Sequence, residues 1–153
     1  MNINENNLTK QADDDELGST TVDRFMTIET ISLNESTTIS TAIKTLKVNK
    51  ISGAPVLNSK GELVGIISEY DLMIQAATSD HKSKIKFTKN IYSLKPDNTL
   101  KEALIQLLSK KVKRMPVISN KNHLLGIVSR LDILNALINK HFEDPTERSL
   151  KLK

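Results

Sequence analysis

The fold is decided by residues 113 to 134, which read Lys-Arg-Met-Pro-Val-Ile-Ser-Asn-Lys-Asn-His-Leu-Leu-Gly-Ile-Val-Ser-Arg-Leu-Asp-Ile-Leu. Two apolar runs flank a polar turn, which predicts a β-hairpin followed by a helix. An earlier copy lies between residues 51 and 73. Four of its residues recur 61 positions later: Pro55 as Pro116, Gly65 as Gly126, Ser68 as Ser129 and Asp71 as Asp132. Four matches at one offset indicate an internal duplication.

Apolar periodicity predicts two helices in each copy, separated by the hairpin. The predicted helices begin at Ile39, Glu69, Leu100 and Arg130, and the last runs to about Lys140. Their predicted inward positions include Ile43, Met73, Ala77 and Leu108. Short strands are expected at Glu29 to Leu33 and at Ile91 to Leu94. Each copy therefore reads as strand, helix, hairpin and helix.

Composition favours a globular protein of 153 residues with 38% hydrophobic residues and no cysteine. No apolar run approaches the roughly 20 residues that cross a bilayer, and the N-terminus lacks the basic-then-apolar order of a signal peptide. We therefore expect a cytoplasmic protein with no membrane partner. The missing cysteines exclude disulfides and thiolate chemistry.

Charge divides the chain into an acidic start and a basic body. Residues 1 to 19 carry one base and five acids, so the other residues hold 21 bases and 13 acids. A basic body suits anionic partners, including phosphorylated metabolites and nucleic acid. Aromatic residues make up only 3% of the chain, too few for a base-stacking platform, so nucleic acid is the less favoured partner.

Enzymatic motifs are missing from the sequence. The three histidines (His81, His123 and His141) have no second histidine or paired carboxylate at metal-ligand spacing. The glycine-rich phosphate loops and the nucleophile elbow are also missing. We therefore expect no catalytic residue, no metal site and no obligatory cofactor.

The repeated Gly-x-x-Ser-x-x-Asp pattern, at Gly65 to Asp71 and Gly126 to Asp132, has two interpretations. Ser-x-x-Asp between a strand and a helix is a capping box, which stabilises the helix start. The same geometry offers free N–H groups to a phosphate and a carboxylate to both hydroxyls of a ribose. Capping and ligand binding are compatible, and the pattern alone does not choose between them.

The duplicated motifs resemble a tandem pair of CBS domains. The resemblance covers about residues 20 to 141 and rests on five segments: Val22 to Thr27, Ile51 to Val56, Gly65 to Leu72, Val112 to Val117, and Gly126 to Leu134. It implies an α/β (α+β) fold of two β-α-β-β-α repeats packed sheet to sheet around a pseudo-twofold axis. The implied division is an acidic flexible tail at 1–19, CBS domain 1 at 20–79, a linker at 80–90, CBS domain 2 at 91–141 and a C-terminal tail at 142–153.

The resemblance also implies two clefts that hold adenine nucleotides or related adenosyl ligands. The main cleft would use Met26, Ile31, Ile51, Ser52, Gly53, Lys113, Arg114, Ile127, Ser129, Arg130 and Asp132. The second would use Ile66, Ser68, Asp71, Tyr92 and Val112. The second is expected to be weaker, because Glu69 stands where the main cleft has Arg130 and a carboxylate repels phosphate.

The predicted function is a non-enzymatic sensor that binds an adenine nucleotide such as AMP, ADP or ATP as its regulatory ligand. The resemblance implies a homodimer formed through helices and an unidentified protein target. The alternative is a ligand-free dimerisation scaffold whose Ser-x-x-Asp boxes only cap helices.

Overall fold

The computed structural model describes residues 15–28 and 30–139. They form two compact units, each discontinuous in sequence. Unit I consists of residues 30–92 and 121–124, and unit II of the described residues before 30, residues 93–120 and those from Leu125 onwards. The predicted tail from residue 142 and His141 lie outside the described residues.

Unit I is a three-stranded sheet with two helices. Its elements in chain order are β1 (Leu33–Asn34), α2 (Ile39–Asn49), β2 (Gly53–Leu57), β3 (Leu63–Ser68) and α3 (Glu69–Thr78). The short strand β1 runs parallel to β2, and β2 pairs antiparallel with β3. The hairpin turn contains Gly61 at φ +79°, a conformation that glycine adopts without steric cost.

Unit II repeats the order of helix, hairpin and helix, but a helix and a 3₁₀ turn precede it in place of β1. Its elements are α1 (Asp15–Ser19), a 3₁₀ turn (Val22–Arg24), α4 (Leu100–Lys110), β4 (Arg114–Ile118), β5 (Leu124–Ser129) and α5 (Arg130–Ile138). The predicted strand from Ile91 to Leu94 is wrong in extent, because pairing there is one parallel bridge between Leu94 and Val117. The α+β class is confirmed.

The helices begin at the predicted residues, and each follows a capping residue. The hydroxyls of Thr38 and Thr99 accept the backbone N–H three residues on, and Glu102 completes the capping box at Thr99. Both helices end at lysines in the left-handed region, Lys50 at φ 53° and Lys111 at φ 54°. The two copies therefore share their helix ends as well as their starts.

Each unit has its own apolar core. In unit I, Ile39, Val56 and Ile67 are almost fully buried; in unit II, Val22, Val117 and Val128 are completely buried. Four predicted inward positions are wrong: Ile43, Met73 and Leu108 are 37%, 64% and 44% exposed, and Ala77 is exposed. The apolar stripe of each helix is wider than the face that its own unit covers. No helix among the described residues is long and apolar enough to cross a membrane.

The duplication extends beyond the repeated motifs, because residues 20–27 and residues 83–88 also occupy equivalent places. Thr27 pairs with Ile127 in unit II, and Thr88 pairs with Ile66 in unit I. Thr88 lies 61 positions after Thr27, and Ile66 lies 61 positions before Ile127. Residues 83–88, predicted as part of a linker, thus occupy in unit I the place that residues 20–27 occupy in unit II. Ile85 is 4% exposed and belongs to the unit I core. The chain's first described segment packs with the second copy, and the segment between the copies packs with the first.

Candidate functional site

The junction of β5 and α5 places Ser129 and Asp132 at a helix start. Ser129 is the N-cap, and its hydroxyl accepts the backbone N–H of Asp132 at 3.1 Å. The Ser129 N–H in turn donates to Oδ2 of Asp132 at 2.9 Å. The predicted capping box is therefore present, and both side chains are half-buried.

A residue that sequence reasoning left out of the site, Thr27, completes this arrangement. Its hydroxyl lies 3.2 Å from both carboxylate oxygens of Asp132, although the residues are 105 positions apart. Backbone bonds between Thr27 and Ile127, 2.8 and 2.9 Å long, hold the two segments together. A carboxylate has about four acceptor positions, so Asp132 retains acceptor capacity beyond its bonds to Ser129 and Thr27.

Glycine makes this close approach possible. A Cβ at Gly126 would lie 2.7 Å from the carbonyl oxygen of Thr27 and 2.9 Å from the sulfur of Met26. Only a residue without a side chain lets the Met26–Thr27 segment lie against β5. Met26 is 7% exposed and packs in the unit II core, whereas Ile127 is half-buried.

Three basic residues belong to the same unit as Asp132. The backbone N–H of Arg130 donates to the carbonyl of Lys113 at 3.1 Å, which joins the start of α5 to the residue before β4. Arg114 is the first residue of β4 and is half-buried, while Lys113 and Arg130 are exposed. The unit thus combines a helix N-terminus, a carboxylate and cationic side chains, which suit a ligand with hydroxyl and phosphate groups.

The other residues predicted for the main cleft lie in unit I. Ile31 is 41% exposed and precedes β1, whereas Ile51, Ser52 and Gly53 are half-buried and form the end of the α2–β2 connection and the start of β2. The Ser52 carbonyl accepts the N–H of Glu69 at 2.8 Å, as Lys113 does for Arg130. Their contribution to the same ligand site stays a prediction.

The corresponding junction in unit I holds the predicted second site. Asp71 Oδ2 accepts the N–H of Ser68 at 3.0 Å and its hydroxyl at 2.9 Å. The hydroxyl that contacts the Asp71 carboxylate is therefore that of Ser68. The corresponding carboxylate in unit II, Asp132, is contacted by the hydroxyl of Thr27. Ile66 is half-buried in β3 and Tyr92 is 52% exposed, both in unit I, whereas Val112 belongs to unit II.

Metal chemistry has no ligand set in the part of the chain that the structure describes. No group of three or more His, Asp or Glu side chains among residues 15–28 and 30–139 could hold a metal ion. The Nε2 of His81 lies 3.0 Å from the carbonyl oxygen of Ala76, next to a helix end.

Comparison with protein families gives two matches to the CBS domain, at residues 22–77 and 83–139. Curated relatives include uncharacterized protein MJ1426 of Methanocaldococcus jannaschii, 33% identical over 132 residues, 63% of this chain and 79% of that protein. Another is the 5'-AMP-activated protein kinase subunit gamma-3 of Sus scrofa, 30% identical over 115 residues. The alignment covers 68% of this chain and 22% of the kinase subunit.

Solved structures with the same fold include CBSX2 in complex with AMP, at 26% identity and a TM-score of 0.69, covering 78% of this chain and 97% of that one. The CBS domain pair of protein MJ0100, in complex with 5'-methylthioadenosine and S-adenosyl-L-methionine, is 25% identical with a TM-score of 0.67. That comparison covers 77% of this chain and 95% of the other.

Proposed function

The chain belongs to the family of tandem CBS-domain proteins, and on that premise we propose that it is a regulatory module that binds an adenosine-containing ligand beside Ser129 and Asp132. AMP, ADP and ATP are the favoured ligands, because cationic side chains stand in the same unit as this carboxylate. The module has no catalytic role in this proposal. It acts in the cytoplasm and passes its ligand state to a partner protein.

The observation that carries the proposal is the environment of Asp132. Its carboxylate is held by the Ser129 N–H and the Thr27 hydroxyl, so its position is fixed without a ligand. A preorganised acceptor binds the two hydroxyls of a ribose without first losing side-chain entropy. Two similar structures contain AMP in one case and 5'-methylthioadenosine and S-adenosyl-L-methionine in the other. All three ligands contain a ribose with this pair of hydroxyls.

The basic residues favour a phosphate on that nucleoside. Arg130 is the first residue of α5, where the helix dipole also attracts an anion. The carbonyl of Lys113 accepts the backbone N–H of Arg130, and Arg114 is the residue after Lys113 in the chain. A charge-assisted contact from arginine to phosphate is stronger than a neutral hydrogen bond, so AMP is expected to bind more tightly than adenosine.

The Asp71 site is proposed as the weaker one. Glu69 occupies the first helical position that Arg130 holds in the other unit, so a carboxylate replaces a guanidinium at the helix start. Ser52 and Gly53 stand where Lys113 and Arg114 stand in the second copy. A nucleotide phosphate would meet repulsion there and no compensating cation from these positions.

Thermal unfolding with a ligand panel tests the proposal. Adenosine, AMP, ADP, ATP and S-adenosyl-L-methionine are each added in excess, with cytidine monophosphate as the control for phosphate alone. A ligand present at 100 times its Kd stabilises the folded state by about 2.7 kcal/mol. A rise in Tm with at least one adenosine compound and not with the cytidine control supports the proposal; no rise with any compound contradicts it.

Homodimerisation is a second proposed property, favoured by apolar side chains that the units leave exposed. On α3, Tyr70 and Met73 are 65% and 64% exposed; on α5, Leu131 and Ile138 are 65% and 77% exposed. A groove of about 410 Å³ between α4 and α5 is lined mainly by leucines. This groove is an apolar surface of the kind that is typical of protein interfaces. Light scattering on the wild type and on Leu134→Glu tests it, and a monomeric wild type contradicts it.

A further inference from the structure

The basic segment from Lys82 to Lys89 forms part of a groove that the proposed function does not use. The groove lies in unit I, has a volume of about 460 Å³ and is lined by Lys84, Lys86 and Lys89 together with Ser36 and Ser59. Its volume falls in the range of about 300 to 1,000 Å³ that is typical of small-ligand sites. Its lining points to an anion.

The lysines are held on a fixed backbone. Lys84 pairs with Thr38, and Thr88 pairs with Ile66. Between these two pairings, the side-chain amide of Gln75 accepts the N–H of Lys86 and donates to its carbonyl, both at 2.8 Å. Ile85 is buried between Lys84 and Lys86, and side chains alternate along an extended segment. Lys84 and Lys86 therefore point to the same outer side.

These three ammonium groups have no ion-pair partner among the described residues. The one acid in the lining is Glu35, which directly follows β1. Three cations and one acid leave the groove with a net positive charge, so an anion that enters it is attracted.

The duplication shows that the fold does not require lysines here. Lys84 pairs with Thr38 as Thr21 pairs with Thr99, so the neutral Thr21 occupies in unit II the place of Lys84. Asp97 stands 61 positions after Ser36, so that place carries an acid in unit II. The same framework is formed with neutral and acidic residues, and the basic groove is a property of the first copy alone.

We infer that this groove, which we call the lysine groove, binds a small anion that carries a chain of phosphate groups, at a site separate from Asp132. The ammonium group of lysine is a compact charge that suits phosphate. Ser59, which also lines the groove, adds a hydroxyl donor. The phosphate chain is either a free polyphosphate or the tail of a nucleoside triphosphate.

Calorimetry on the full chain tests the inference with inorganic tripolyphosphate for the free chain and cytidine triphosphate for the nucleoside tail. The wild type is expected to bind at least one probe, less tightly as salt increases. Lys84→Gln/Lys86→Gln removes two cations and is expected to weaken binding about tenfold. Lys44→Gln/Lys101→Gln removes the same charge elsewhere and is expected to change Kd less than twofold.

Glu35→Gln gives a test in the opposite direction, because removal of the one acid is expected to tighten binding about threefold. Asp132→Ala should leave tripolyphosphate binding unchanged, and Lys84→Gln/Lys86→Gln should leave the AMP response unchanged. A failure of this inference can therefore be distinguished from a failure of the proposed function. The inference is overturned if the wild type binds neither probe at low salt, or if the Lys84/Lys86 and Lys44/Lys101 double substitutions weaken binding equally.

Discussion

The hydroxyl of Thr27 lies 3.2 Å from both carboxylate oxygens of Asp132, although 105 positions separate the two residues. Ser129 holds the same carboxylate from within the α5 capping box. One side chain thus connects the first described segment of the chain, the last strand and the last helix. The proposed ligand would bind at this connection.

Replacement of Thr27 by valine keeps the side-chain shape and removes the hydroxyl. We expect the free energy of unfolding to fall by about 0.5 to 1.5 kcal/mol, which is the usual net value of one hydrogen bond. Ligand affinity should fall as well, because Asp132 loses a contact that positions it. Urea unfolding and calorimetry measure the two effects. Thr88→Val, at the matching position of unit I, is the control and should leave affinity at the Asp132 site unchanged. Equal ligand affinity in Thr27→Val and in the wild type would contradict the role given to Thr27.

Gly126→Ala is expected to damage the same connection through the backbone. The added Cβ would meet the carbonyl oxygen of Thr27 at 2.7 Å, so β5 and the Met26–Thr27 segment must separate. Overpacking of this kind costs about 1 to 3 kcal/mol. Thermal unfolding checks it. Gly18→Ala, with nothing within 4 Å of its added Cβ, is the matched control, and the prediction is wrong if the two variants have the same Tm.

Ile85→Ala tests whether the segment between the copies belongs to the unit I core. Ile85 is 4% exposed, so its truncation should lower the free energy of unfolding by about 2 to 5 kcal/mol. Lys82→Ala, at an exposed position of the same segment, should change it by less than about 0.5 kcal/mol. Chemical denaturation of both variants gives the comparison. A small effect of Ile85→Ala would mean that residues 80–90 act as the simple linker that their composition suggests.

Arg130→Gln tests the phosphate contact apart from the nucleoside contact. The variant should lose most of the preference for AMP over adenosine, about tenfold to a hundredfold, because a charge-assisted bond is worth about 1.5 to 3 kcal/mol. Binding of adenosine itself should change little. Glu69→Gln, at the matching position of unit I, is the control. An unchanged ratio of the two dissociation constants in Arg130→Gln would remove this residue from the site.

Local signals in the sequence predicted the helices and hairpins well. The caps at Thr38, Thr99 and Ser129 depend on side chains within three residues of the backbone groups that they bind. Such contacts are visible in a linear pattern. The repeat offset then assigned Asp71 and Asp132 to equivalent places, which the two capping boxes confirm.

Long-range contacts were not visible in the same way. The polar composition of residues 80–90 concealed an alternation in which Ile85 and Phe87 point inward between exposed lysines, and this alternation was the available signal. Periodicity also placed Met73 and Leu108 in the core, although both are exposed. An apolar stripe shows which face of a helix avoids water, but not whether the covering surface belongs to the same chain.

Calorimetric titration of AMP into the wild type, Asp132→Ala and Asp71→Ala tests the central claim most directly. Both substitutions remove the carboxylate of a capping box, so both should reduce stability by a similar amount, about 0.5 to 2 kcal/mol. Under the proposed function, AMP binding is lost or weakened at least tenfold in Asp132→Ala and is largely retained in Asp71→Ala. Equal AMP affinity in the wild type and Asp132→Ala, or no detectable binding to the wild type, would contradict it.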